Sequence, residues 1–254
     1  MLGGEYMDKY LEFMNVNKTF YGENGKTDVL KDISFSLHND EIIAILGPSG
    51  CGKSTILNLI SGLIKPTSGK ITINKEIGYM FQQDLLFSWR TVKDNVTLGL
   101  EISKSLSKEN ILYVENLLDK YHLGEFKNHY PNELSGGMQK RVSLIRTLAL
   151  KPDVLLLDEP FSGLDYQTKL IVIEDIYKII KNEKKSALIV THDIGEAIAF
   201  ASKVIILGKR PSYIKKIIDI DLKIDNKTPL LAYKSPLYSY YFDLIYKELE
   251  DERT

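Results

Sequence analysis

Apolar and polar positions along this chain switch between a strand period and a helix period, and the switches outline an order of elements. Residues 11–17 and 30–37 read as strands, the second by clear alternation. Residues 41–46 form an isoleucine-rich run of the buried kind. A helix is predicted over 54–63, with Ile56, Leu59, Ile60 and Leu63 on one face. Two short strands, 69–74 and 77–82, follow. Between about 85 and 150 the helical period dominates, with helices predicted over 108–121 and 138–150, so this section reads as a helical insertion. Strand character returns at 153–157 as a continuous apolar run, typical of a central parallel strand covered on both faces. Helix 166–181, strand 186–191, helix 194–201 and strand 203–207 complete a βαβ series. Beyond 211 a weakly alternating edge strand over 214–222 precedes a tyrosine-rich helix over 235–250. There Leu237, Tyr241, Ile245 and Leu249 recur every fourth residue, a stripe suited to packing in a core or interface.

The junction between the strand 41–46 and the helix 54–63 carries the first chemistry. Gly47, Pro48, Ser49, Gly50, Cys51, Gly52, Lys53, Ser54 and Thr55 fit the phosphate-binding pattern G-x-x-x-x-G-K-[ST]. Strand, glycine loop and helix in this order aim backbone N–H groups and the positive end of a helix at phosphate. Lys53 is expected to reach the β- and γ-phosphates of a nucleotide, and the Ser54 hydroxyl to ligate Mg²⁺. Cys51, the one cysteine, cannot form an internal disulfide, which suits a reducing compartment. A helix N-terminus beside it would lower its thiol pKa; alternatively it is a small, tolerated side chain.

Further candidates cluster at predicted strand ends. Asp158 and Glu159 end the run VLLLDEP, at the edge where open α/β sheets bind ligands. Asp158 is placed to hold Mg²⁺, and Glu159 to polarise an attacking water as general base. His192 follows the strand ALIVT and is placed to contact a γ-phosphate. Gln82, closing GYMF, is a candidate for Mg²⁺ or the attacking water. Phe20, with Tyr21 as the competing choice, offers a ring for stacking on adenine. LSGGMQ supplies a second anion site at a helix N-terminus through Ser135, Gly136 and Gly137. A chain whose first loop already holds its own phosphates has use for this second site only if it completes the ATP of a partner.

Composition narrows the class. With 33 basic and 34 acidic residues the chain shows no nucleic-acid signature. No apolar run approaches the roughly 18 residues that span a bilayer, and the start MLGGEYMDKYLEF lacks the apolar centre of a signal peptide. A cytosolic protein, or one peripheral on a cytosolic face, is expected.

The motifs LSGGMQKR, LLLDEPFSGLD and THD, in this order after the phosphate loop, resemble those of the ATP-binding subunits of ABC transporters, over about residues 11–210. The resemblance implies an α/β fold: a P-loop NTPase core of mostly parallel sheet flanked by helices, an N-terminal antiparallel β part and an inserted helical subdomain. It implies one domain, with 1–84 and 151–210 as catalytic core, 85–150 as the signature subdomain and 211–254 as a tail. Phe20 matches the family's adenine-stacking aromatic, 47–55 the Walker A loop, Gln82 the Q-loop and 134–139 the signature. Asp158 matches the Walker B magnesium ligand, Glu159 the catalytic glutamate, 162–165 the D-loop and His192 the switch histidine. FQQDLLFSWRTVKDNV and GKRPSYI look like importers for nitrate, organic sulfonates, taurine and pyrimidine vitamin precursors, though Ser88 and Lys140 depart from their usual pattern. The implied partners are a second copy closing head to tail over two ATP molecules and an integral membrane permease docking near Leu85 to Arg90 through Phe87 and Trp89. A solute-binding protein outside the membrane is implied indirectly, and no nucleic acid. A soluble ABC-type ATPase of an assembly or repair complex is the alternative.

Overall fold

A computed structural model describes residues 9–22 and 25–250. The early part of the N-terminal segment read above against a signal peptide, residues 1–8, lies outside the described residues. A six-stranded sheet forms the middle layer, in the order β5-β6-β7-β3-β8-β9. Its members are β3 (Ile42–Leu46), β5 (Ile77–Met80), β6 (Val154–Asp158), β7 (Ser186–Val190), β8 (Lys203–Leu207) and β9 (Ile214–Asp219). All neighbours are parallel except β9, which pairs antiparallel to β8 and forms the edge expected from its weak alternation. A second, antiparallel sheet of three strands is built from β1 (Lys9–Gly22), β2 (Gly25–His38) and β4 (Ser68–Ile73), in the order β2-β1-β4.

Alternate residues of the central strands belong to two different cores. Ala44, Leu46, Leu155, Leu157 and Ile189 face a cluster that includes side chains of the helical section and, from the tail, Ile245. Ile43, Ile45, Leu156, Leu188 and Val190 face Leu11, Phe13, Ile33 and Ile56 on the other side. Burial of both faces explains why β3, β6 and β7 read as unbroken apolar runs.

The helices are α1 (Lys53–Ile60), α2 (Val92–Ile102), α3 (Lys108–Lys120), α4 (Gly136–Leu148), α5 (Tyr166–Asn182), α6 (Ile194–Phe200), α7 (Pro229–Ala232) and α8 (Tyr238–Glu250). None among the described residues is long and apolar enough to cross a membrane. Helix α1 stops short of its predicted end: Gly62 takes a left-handed φ of 75°, and Leu63 is 64% exposed instead of lying on the apolar face. Helix α2 is not anticipated by the sequence reading, although Thr91 caps it by accepting from the Asp94 N–H, a local signal present in T-V-K-D. Ile245 of α8 is fully buried, and Tyr241 and Leu249 of the helix, with Leu237 just before it, pack against the same core.

Candidate active site

The parallel strands deliver their C-terminal ends to one edge of the sheet, and the loops that leave those ends carry the candidate residues. Between β3 and α1 the phosphate loop turns through left-handed Gly50 (φ 73°) and Gly52 (φ 112°), conformations that a side chain would strain. A Cβ at Gly52 would lie 2.9 Å from Val29, so β2 closes against the loop from behind. The Lys53 amine is buried and donates to the carbonyls of Gly47 (2.8 Å) and Pro48 (3.1 Å). A cleft of about 390 Å³ opens in front, lined by Ser49, Gly50, Gly52, Lys53, Ser54 and Thr55 on one side. Phe20, Val29, Glu159 and Arg210 complete the lining.

Of the two aromatic candidates, Phe20 enters the lining, 41% exposed, whereas Tyr21 is 75% exposed and lies outside it. Lys18 sets its ammonium 4.7 Å from the Phe20 ring centroid, a cation–π contact that helps to hold the ring.

Of the two readings of Cys51, the structure bears out the small, tolerated side chain and not the acidified thiol. Its side chain is buried in the apolar cluster beneath the loop, and burial pushes the thiol pKa up, outweighing the opposing Lys53 charge. The Cys51 carbonyl accepts from the Ser212 hydroxyl, so the thiol faces the core while the backbone braces the loop. Gly47, Pro48 and Cys51 shape the loop without lining the cleft.

Opposite the loop, Asp158 ends β6 with its carboxylate largely buried. Burial raises its pKa, opposed by hydrogen bonds from Ser54 (3.4 Å) and Tyr79 (3.3 Å). A buried carboxylate touching a serine hydroxyl is a pair of hard oxygen donors, the chemistry Mg²⁺ prefers. Among the described residues, no group of three or more His, Cys, Asp or Glu side chains is placed to hold a metal. Two such oxygens suit a hard cation whose other ligands are water and phosphate oxygens, as those of Mg²⁺ commonly are.

Glu159 follows in a left-handed backbone conformation (φ 43°), fixed by its N–H to the Val190 carbonyl (2.9 Å) on the neighbouring strand. The turn presents its carboxylate to two residues remote in sequence. Gln82 Nε2 donates to one oxygen at 3.1 Å, and His192 Nδ1 lies 3.2 Å from the other. Gln82, Glu159 and His192 leave β5, β6 and β7 at the same sheet edge.

The signature residues stand apart. Ser135 caps α4 by accepting from the Met138 N–H, and Gly136 and Gly137 form the helix's first turn. Ser135 and Gly136 are exposed, and none of the three lines the cleft. A Cβ on Gly137 would come within 2.8 Å of Val172 and 3.2 Å of Thr168, so any side chain here has to displace those methyls or push α4 off α5.

Several supporting residues escape the sequence reading. Arg210 lines the cleft, though its motif GKRPSYI registers only as a likeness to relatives. Lys140, noted only as a departure from a pattern, is 4% exposed and donates to the Gln82 carbonyl at 2.9 Å. It also pairs with Asp84 at 3.3 Å, while Arg146 donates to the carbonyls of Asp84 and Leu85, each at 2.7 Å. Helix α4 thus carries the loop that presents Gln82. Asn95, fully buried, accepts from the Phe87 N–H and donates to the carbonyls of Phe87, Arg90 and Thr91, locking the turn that exposes Trp89.

Comparison with known proteins agrees with this geometry. The ABC transporter family profile matches residues 30–162. An ABC transporter ATP-binding protein of Bacillus subtilis is 42% identical, over 94% of this chain and 95% of its own. The nitrate import ATP-binding protein of Synechocystis is 40% identical, over 87% and 86%. A dimeric ATP-binding cassette solved in a post-hydrolysis state with ADP and Pi superposes with a TM-score of 0.70 at 31% identity, covering 83% of this chain and 99% of that one. With the phosphate loop, the carboxylate pair and the signature turn all in place, the chain belongs to the ABC transporter family, among its ATP-binding subunits.

Proposed function

We propose that this chain hydrolyses ATP in a head-to-tail pair with a second copy of itself, and so drives a membrane permease that imports a small solute. The observation that carries the reading is the Glu159 carboxylate, gripped by Gln82 and His192 beside the Asp158–Ser54 pair. Phe20 stacks on adenine, and the loop Gly47 to Thr55 cradles the phosphates with Lys53 supplying positive charge. Ser54, Asp158 and Gln82 would hold Mg²⁺, which when bound neutralises phosphate charge and orients the terminal group. Glu159 takes the proton of the attacking water while Gln82 and His192 fix its direction, and His192 supports the γ-phosphate. Ser135, Gly136 and Gly137 close over the partner copy's ATP, which accounts for an anion site outside the chain's own cleft.

The chain works as one unit: 1–84 and 151–210 form the catalytic core, 85–150 the signature subdomain and 211–254 a packing tail. The permease docks on the segment 85–90. There Trp89 is 73% and Leu85 53% exposed, beside an apolar groove of about 310 Å³ lined by Tyr79, Phe81, Phe87, Leu98 and Ile102. Similarity to nitrate, aliphatic sulfonate and taurine import subunits supports a solute of that group; the motifs FQQDLLFSWRTVKDNV and GKRPSYI add a pyrimidine vitamin precursor, and the solute is delivered by an extracytoplasmic binding protein. The subunit then sits peripherally on the cytoplasmic face. Purified from its native membrane in detergent, the chain should bring an integral membrane permease with it. Replacing both Phe87 and Trp89 with alanine should release that permease and leave hydrolysis by the free subunit intact. A complex that survives the double substitution would move the dock elsewhere.

A further inference from the structure

Two parts of the proposed site that face different ATP molecules meet on the first turns of α5. Thr168 and Val172 of that helix are the side chains against which Gly137 of the signature turn is seated, and Leu164, just before the helix, lies 3.3 Å from a Cβ built on Gly136. Lys169, which follows Thr168, leaves the helix on a side that reaches the loop bearing His192. Its ammonium bonds Asp193 Oδ2 at 2.7 Å and Glu196 Oε1 at 2.5 Å. Glu196 is buried, and its second oxygen accepts from the Thr191 hydroxyl. Asp193 accepts from the Glu196 N–H at 3.1 Å and gives its own N–H to Thr191 Oγ1 at 3.1 Å. His192, itself exposed, is therefore flanked on both sides by residues of one hydrogen-bonded cluster whose cation comes from α5.

The cluster is rigid for physical reasons. Burial opposes the Lys169 charge, yet its bonds to the two carboxylates hold its pKa above the ordinary lysine range. Charge-assisted bonds in a partly dry site resist rearrangement, and breaking one leaves a buried charge unpaired. The start of α5 is equally fixed, because the Asp165 carboxylate caps it through Gln167 N–H (3.1 Å) and Thr168 N–H (3.0 Å), and the Lys169 N–H bonds the Asp165 carbonyl at 2.8 Å.

We propose that Lys169 is a positioning residue for His192, coupling the seating of the signature turn on the partner copy's ATP to the histidine over this chain's own ATP. The inference rests on the hydrolytic roles proposed above for His192 and the signature. It requires no contact between Lys169 and nucleotide, since the side chain does not line the cleft.

A double-mutant cycle on the full chain tests it, with kcat, the Hill coefficient for ATP and monomer ATP affinity as readouts. Lys169→Met should lower kcat by about 10- to 100-fold, the scale of a small misplacement of a catalytic group. It should also bring the Hill coefficient toward one and leave monomer ATP affinity unchanged, while Lys169→Arg restores most of the activity. In a His192→Ala background Lys169→Met should cost nothing further. Wild-type kcat and cooperativity in Lys169→Met, or losses that multiply in the double variant, would overturn the proposal. If Lys169→Met does not fold, Asp193→Asn, which keeps the α6 cap but removes one charge Lys169 grips, gives the same cycle. Wild-type turnover in His192→Ala alone would instead remove the switch role of the histidine, and this inference with it.

Discussion

Glu159 gathers most of the site's geometry onto one side chain. Its left-handed backbone turns the carboxylate out of the strand line toward Gln82 and His192, the kind of local strain that clusters where function needs it. Glu159→Gln should keep ATP affinity but lower turnover by about 10²- to 10⁴-fold, the usual contribution of a general base. Phosphate release and gel filtration check this, the second by an ATP-dependent dimer; near-normal turnover would take the base role from Glu159. Cys51 gives the opposite lesson. A loop position beside a helix end favours an acidified thiol, yet the side chain turns inward and burial raises its pKa. A raised pKa means less thiolate at any given pH, so at pH 7.5 maleimide should label the folded protein at least about tenfold more slowly than the urea-unfolded chain. Added ATP should change that rate little, because burial already protects the thiol; equal rates folded and unfolded would contradict the placement. The residue types at 53, 54, 158, 159 and 192 were legible because each follows an apolar strand. Lys140 and Arg210 were not, since the carbonyls they bond, of Gln82 and Asp28, lie 58 and 182 residues away; nor was Asn95, whose bonds to the 87–91 turn leave no apolar periodicity.

At the scale of elements, the strands were legible because sheet burial on both faces writes itself as unbroken apolar runs. Helix ends were less so. Helix α1 ends at Ile60 because Gly62 adopts a left-handed turn, which overrides the periodicity that continues to Leu63. Helix α2 was missed because its buried positions include polar Asn95 and Thr97, whose hydrogen bonds rather than hydrophobicity allow their burial. The close seat of α4 on α5 supplies a test. Gly137→Ala would gain about 1 kcal/mol in helix propensity, but the methyl meets Val172 at 2.8 Å, and overpacking costs about 1–3 kcal/mol. The second effect wins or cancels the first, so the melting temperature should fall slightly or stay level. Hydrolysis should fall more steeply, because the signature turn is pushed off α5. Unchanged turnover in a folded Gly137→Ala protein would show that this seat has no bearing on catalysis.

The whole molecule carries two glycine-rich turns that one chain does not bring into a single cleft: the phosphate loop lines it and the signature turn does not. The proposed working unit therefore contains two copies. Ser135→Arg should leave ATP binding to the monomer intact while abolishing hydrolysis, as measured by fluorescent-nucleotide titration beside phosphate release. Loss of monomer affinity would show instead that Ser135 serves its own chain's ATP. In the unsubstituted protein, turnover per subunit should rise with protein concentration until the pair saturates.

Local order and local chemistry were determined by the sequence alone. Strand–loop–helix succession, the glycines of the phosphate loop, the cap at Ser135 and the acidic strand end at Asp158 all depend on neighbours a few residues away, and short-range sterics and hydrogen bonding decide them. Only the tertiary structure decided which of these meet. The order β5-β6-β7-β3 sets Gln82, Glu159, His192 and the phosphate loop along one edge, because parallel strands joined by helical crossovers all point their ends the same way. The same folding turned Cys51 inward, chose Phe20 over Tyr21 for the cleft, hung the Gln82 loop on Lys140 and joined the signature turn to the His192 loop through α5. Those outcomes depend on contacts across 24 residues and more, which packing fixes and local pattern does not encode.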